Sequence, residues 1–187
     1  MGTAMRDRVL MSVTAKVSLS ERQRLLTEQL YERHALRAFR FAYVVTGNRE
    51  QAEDLTQEAF SRTFARIETI QDSEAFGGYL RTTLLSLARA QHRRGRLERL
   101  SLLRSARREL TNADGLPSVE ERERLWIALH RLPYRQRAAL VLRYYEDLSE
   151  REAARTLGVS VASLKGLVAR GIGTLRLQII EDEGGSR

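Results

Sequence analysis

The chain has 187 residues, 32 basic against 24 acidic side chains and a formal charge of +8, enough length for one ordinary core or two small ones and a balance that favours an anionic partner. Lysine occurs only at Lys16 and Lys165, so nearly all the positive charge is arginine, whose fork of donors grips phosphate or a guanine edge bidentately. With no cysteine, three dispersed histidines (His34, His92, His130) and no apolar run long enough to span a bilayer, no disulfide, metal site, cofactor or membrane insertion is expected, and the expected location is the cytoplasm.

Residues 1–20 carry no motif and are expected to be a mobile N-terminus. From Tyr31 the small or apolar positions Ala35, Ala38, Ala42 and Val45 recur in steps of three and four, thickened by Phe39 and Phe41, which predicts an amphipathic helix ending at Gly47-Asn48. A second helix should bury Ala52, Leu55, Ala59 and Thr63, widened by Phe60, Phe64 and Ile67, and carry Glu53, Asp54, Gln57 and Glu58 on its opposite edge. A third is expected from an N-cap near Ser73 through Tyr79, Leu80, Leu84, Leu87 and Ala88, turning basic at Arg89, Arg93, Arg94 and Arg96. That basic end reads equally as a nucleic-acid contact or as a solvated arginine-rich terminus.

The run from Gln51 to Phe60, followed by Tyr79-Leu80-Arg81-Thr82-Thr83-Leu84 and the Arg93-Arg94 pair, resembles region 2 of the extracytoplasmic-function, or group IV, sigma factors of RNA polymerase. Within the sigma-70 superfamily it resembles the actinobacterial SigE-like members. The resemblance implies that Asp54, Gln57 and Glu58 dock on the clamp of the polymerase β′ subunit. It also implies that the third helix, with the loop from Ile70 to Phe76, reads a melted −10 element through Ser86, Arg89, Ala90, Arg93 and Arg94. Ser86 and Ala90 depart from the family, whose members often carry Asn and then Asp or Asn there.

Weak periodicity between Gly95, Gly115 and Pro117 predicts a linker over 96–117 joining a domain at 21–95 to one at 118–180, with a tail at 181–187. Leucines at 97, 100, 103 and 110 among arginines leave the linker open to two readings, a flexible tether or a segment that becomes helical on a partner. The resemblance implies a path through polymerase toward the active-site and RNA-exit region.

In the second domain Ser118-Val119-Glu120-Glu121 fits a capping box ahead of a helix carrying Leu125, Trp126, Leu129 and Leu132. After Pro133 a further helix should bury members of the set Ala138, Leu142 and Tyr145, and it offers Arg135, Arg137 and Arg143 as phosphate contacts. A second capping box, Ser149-Glu150-Arg151-Glu152, opens a helix-turn-helix. Small Ala154 sits at the crossing, Gly158 at the turn, and Ala153, Leu157, Val159, Leu164 and Leu167 point inward. The recognition helix from about Val161 would then present Ser163, Lys165, Gly166, Ala169 and Arg170 outward. Gly171 and Gly173, late in that helix, each cost about 1 kcal/mol of helix propensity relative to alanine.

Leu132 to Arg137 and Tyr144 to Ser149 closely resemble sigma region 4, which implies −35 recognition in the major groove, with Lys165 and Arg170 reaching base edges or phosphates and the β flap as a further contact. Gly166 stands where family members often have serine or arginine. The expected fold is all-α, two small helical domains joined by a linker. The expected function is that of a non-enzymatic sigma factor that binds core RNA polymerase and promoter DNA, with an anti-sigma factor as a further partner. A conventional helix-turn-helix regulator, which needs only the hairpin, is the alternative.

Overall fold

The computed structural model describes residues 21–67, 73–94 and 119–184, and among these there is no strand. The chain divides between Gln91 and His92 into two compact units. The N-terminus, the linker at 96–117, the Ile70 to Asp72 part of the loop and the Ser118 cap lie outside the described residues.

The first unit is built from α1 (Glu21–Thr46), α2 (Arg49–Phe64) and the greater part of α3 (Ser73–Arg94). Helix α1 begins ten residues before Tyr31 because Thr27 and Leu30, both buried, extend the same stripe backward. It stops at Gly47, whose φ of 75° suits a residue without Cβ. Asn48 then caps α2, its side-chain oxygen accepting the Gln51 N–H at 2.8 Å. The α2 inner face holds Ala52, Leu55, Ala59, Phe60, Thr63 and Phe64 as the periodicity predicts, and it adds Thr56. Two buried hydroxyls are tolerated there because Thr56 and Thr63 each donate to the carbonyl four residues back, Ala52 at 2.6 Å and Ala59 at 2.7 Å.

Aromatic rings tie α3 to this pair. Phe76, fully buried, lies 6.2 Å from Phe60 and 5.3 Å from Phe64 between ring centroids, and Tyr31 of α1 closes on Phe60 at 4.9 Å; tilted rings at these separations gain beyond their burial. Burial also pushes the Tyr43 phenol above its ordinary pKa, with the Arg49 charge pulling the other way. Ser73, expected as a cap, is instead the first helical residue of α3.

The second unit contains α4 (Val119–Arg131), α5 (Tyr134–Leu140) running into a π-helical turn at Val141–Tyr145, α6 (Glu150–Leu157) and α7 (Val161–Gly184). In α4 the innermost residue is Ala128, while Leu125 is 47% exposed. Ala138 and Leu142 are buried as expected, but Tyr145 is 44% exposed. The wide turn explains this, since the Glu146 N–H bonds to the Val141 carbonyl five residues back at 2.9 Å and swings Tyr145 off the α-helical face.

Helix α7 continues through both late glycines and past residue 180 to Gly184. Gly171 is buried, and a Cβ there would sit 3.0 Å from Leu140 Cδ1 and 3.2 Å from its Cγ. The residue that costs helix propensity is therefore what lets α7 lie close on α5. Gly173 faces open space.

The two glycines accordingly separate propensity from packing. Gly173→Ala is expected to stabilise the chain by about 1 kcal/mol. Gly171→Ala should instead destabilise it by roughly 1 kcal/mol, because overpacking against Leu140 outweighs the propensity gain. Thermal unfolding followed by circular dichroism checks both, and a raised Tm for Gly171→Ala would show that Leu140 yields freely.

Candidate nucleic-acid interface

The helix-turn-helix is assembled from local hydrogen bonds. At the start of α6 the Glu152 N–H donates to Ser149 Oγ at 3.3 Å and the Ser149 N–H donates to Glu152 Oε2 at 2.9 Å, a reciprocal capping box. The helix ends at Gly158 in the left-handed region (φ 70°, ψ 43°), with the Val159 N–H returning to the Ala154 carbonyl at 3.0 Å. Ser160 Oγ then accepts the Ser163 N–H at 3.1 Å and fixes the first turn of α7. Ala153, Ala154 and Leu164 are buried where α6 and α7 meet, while Leu157, Val159 and Leu167, also expected inward, are half-buried.

On α7 the side chains of Ser163, Lys165, Ala169 and Arg170 are exposed and Gly166 is half-buried. A cleft of about 450 Å³ runs beside them, lined by Arg135, Val159, Ala162, Ser163, Gly166, Leu167 and Arg170. Arg135, from the N-terminal end of α5, thus joins the recognition helix on one concave cationic surface. The Ser160 hydroxyl donates to Ser163 Oγ at 2.9 Å, which leaves the Ser163 proton available to an acceptor in the cleft.

Lys165 is not an isolated charge, because its Nζ lies 3.2 Å from Glu150 Oε2 at the start of α6. Sequence reading missed Glu150 as its partner, since the pairing crosses the turn and depends on the interhelical angle. Arg137 departs from its expected role as a phosphate contact. It is 5% exposed and its Nη1 donates to the His130 carbonyl at 3.1 Å, satisfying a carbonyl in the last turn of α4. Arg143 is half-buried, with Nη1 donating to the Leu148 carbonyl in the turn before α6. These two arginines hold the loops, and Arg135 is the member of the trio that faces the cleft.

Along α3, Ser86, Arg89 and Arg93 are exposed and Ala90 is half-buried, so the spacing sets them along one stripe opposite buried Leu84 and Ala88. The Arg94 side chain lies outside the described residues. On α2, Asp54 and Glu58 are exposed and Gln57 is half-buried. Glu58 pairs with Arg62 at 2.6 Å and Glu53 with Arg49 at 3.0 Å, whereas among the described residues no cation pairs with Asp54. No group of acidic or histidine side chains among the described residues could hold a metal ion, and no helix among them is long and apolar enough to cross a membrane. The chemistry on offer is hydrogen-bond donation and positive charge.

Two segments of the chain match known families. Residues 30–98 match the sigma-70 region 2 family and residues 122–175 match sigma-70 region 4. The chain is 34% identical over 153 residues to the ECF RNA polymerase sigma factor SigE of Mycolicibacterium smegmatis, an alignment covering 80% of this chain and 60% of that protein. It is also 34% identical over 136 residues to the ECF RNA polymerase sigma factor EcfG of Rhodopseudomonas palustris, covering 73% of this chain and 74% of that one. Among solved structures, the sigma factor RpoE of Bartonella quintana, in complex with the anti-sigma factor NepR, superposes with a TM-score of 0.62 at 22% identity over 81% of this chain and 95% of that one.

The Lys165–Glu150 pair generates a prediction independent of sequence reading. Glu150→Gln is expected to tighten binding of the full chain to a short DNA duplex about two- to five-fold at low salt, the range typical of an exposed pair, and to steepen the salt dependence. Unchanged affinity in a fluorescence titration would show that Lys165 reaches phosphate with Glu150 in place.

Proposed function

The chain belongs to the extracytoplasmic-function sigma factors of RNA polymerase, and on that premise we propose that its two units divide promoter recognition between a melted −10 strand and a duplex −35 element. The observation that supports this most is the cleft beside α7, where Arg135, Ser163 and Arg170 converge on one concave cationic face. A duplex fits such a face because arginine and serine donors meet phosphates while α7 lies in the major groove.

The α3 stripe has a different task. A displaced strand offers phosphates to Arg89 and Arg93 and base edges to Ser86, and capture of extruded bases offsets an unstacking cost of a few kcal/mol per step. With Ser86 and Ala90 supplying so little hydrogen-bonding capacity, either the segment before α3 carries more of the −10 reading or the −10 motif itself is unusual. The α2 edge docks the factor on core polymerase. Asp54 is more available than Glu53 and Glu58, which are already paired with arginines four residues away.

The chain acts in the cytoplasm as a non-catalytic subunit, contacting the β′ clamp and β flap of core polymerase, and an anti-sigma factor masks its DNA-reading faces until needed. Reconstitution with core polymerase tests the whole reading: the holoenzyme should initiate at promoters that core enzyme alone does not use. Initiation indistinguishable from core enzyme would remove it.

Docking and melting separate experimentally. The Asp54→Lys, Glu58→Lys double variant is expected to weaken core binding about five- to thirty-fold, given about 1–2 kcal/mol lost across two reversed contacts, while the helical circular-dichroism signal stays intact. Equal affinity would take the α2 edge out of the interface. By contrast, replacing Arg89 and Arg93 by alanine should leave core binding unchanged and reduce open-complex formation, read as permanganate reactivity of unpaired thymines. Normal reactivity in that variant would mark both arginines as merely solvated.

A further inference from the structure

Arg170 and Gly166 are four residues apart on α7, so the arginine side chain leans back toward the helix N-terminus and over residue 166. A Cβ on Gly166 would lie 3.2 Å from Arg170 Nη1, 3.6 Å from Nη2 and 3.7 Å from Cζ. The guanidinium therefore occupies the notch that the missing side chain leaves. Among the described residues it forms no hydrogen bond or ion pair there, so its donors remain open to the cleft shared with Ser163 and Arg135. The side chain is exposed, but its guanidinium lies over residue 166, beside the other two donors of the cleft.

We propose that Gly166 is a positioning residue for −35 recognition, seating the Arg170 guanidinium in a notch on α7 so that it meets the paired acceptors of a guanine, O6 and N7, at one position of the element. This rests on the sigma-factor reading given above. Bidentate recognition of a guanine edge requires a planar donor pair in a fixed orientation, whereas attraction to phosphate tolerates a mobile charge. The open position at Gly166 leaves room for the guanidinium to adopt that orientation against the helix. Gly166 also lowers helix propensity, so an alanine at this site would favour the helix while crowding the guanidinium by a few tenths of an ångström.

That opposition of stability and reading gives the test. Holoenzymes carrying wild type, Gly166→Ala, Arg170→Ala and the double variant transcribe a promoter library with a randomised −35 element, and the full chains are melted in parallel. Gly166→Ala should raise Tm by about two to four degrees and relax discrimination at one −35 position about three- to ten-fold, a part of what a bidentate contact contributes. In the Arg170→Ala background the Gly166→Ala substitution should change nothing further at that position. A base profile for Gly166→Ala identical to wild type overturns the proposal, as does a change that persists without Arg170. A loss uniform across all bases also overturns it, because Arg170 would then be meeting phosphate. Wild-type holoenzyme that selects no −35 sequence would refute the sigma-factor reading itself, an outcome distinct from these.

Discussion

The seating of α7 against α5 governs the reading face of the second unit, because one helix serves as both core and probe. At Gly171 the backbone comes close enough to Leu140 that no Cβ fits without displacing a buried side chain. That contact fixes the depth and rotation of α7, and with them the directions in which Ser163, Lys165 and Arg170 project. Farther toward the N-terminus, Leu164 between α6 and α7 holds the other end of the same face. Packed helices interlock in few discrete arrangements, so a shift at Gly171 would be felt along the whole cleft.

Two arginines that look like DNA ligands in the sequence have gone into the scaffold. Arg137 bonds the carbonyl of His130 and Arg143 that of Leu148, each serving a backbone group where the chain changes direction. For the buried Arg137 the carbonyl at the end of α4 supplies an acceptor to Nη1 and offsets part of the desolvation cost, while its Nε is buried without a hydrogen-bond partner. Net positive charge therefore overstates the cationic surface of this unit.

The first unit is organised around rings and hydroxyls instead. Phe60 and Phe76, both fully buried, join α2 to α3, and Thr56 and Thr63 fill the interior of α2 without leaving a polar atom unpaired. Pairing also shapes its surface. Glu53 and Glu58 on the α2 edge are each paired with an arginine of their own helix, which leaves Asp54 and, one turn earlier, Glu50 as its exposed carboxylates without a cation partner among the described residues.

Sequence alone determined the elements whose signals are local. Helical periodicity placed the buried faces of α1 and α2, Ser149 and Glu152 announced the start of α6, and Gly158 announced its left-handed end, because each depends on neighbours within about five residues. The order of motifs from Gln51 to Phe60 and from Leu132 to Ser149 carried the family in the same way. Tertiary structure decided what depends on contacts distant in sequence or on a break in helical phase. It buried Arg137, turned Tyr145 outward through a π turn, paired Lys165 with Glu150 across the hairpin and made Gly171 a point of close approach. A periodicity argument assumes one constant angle per residue and assigns no partner beyond the next turn, so neither the π turn nor the interhelical geometry that settles these residues lies within what it can express.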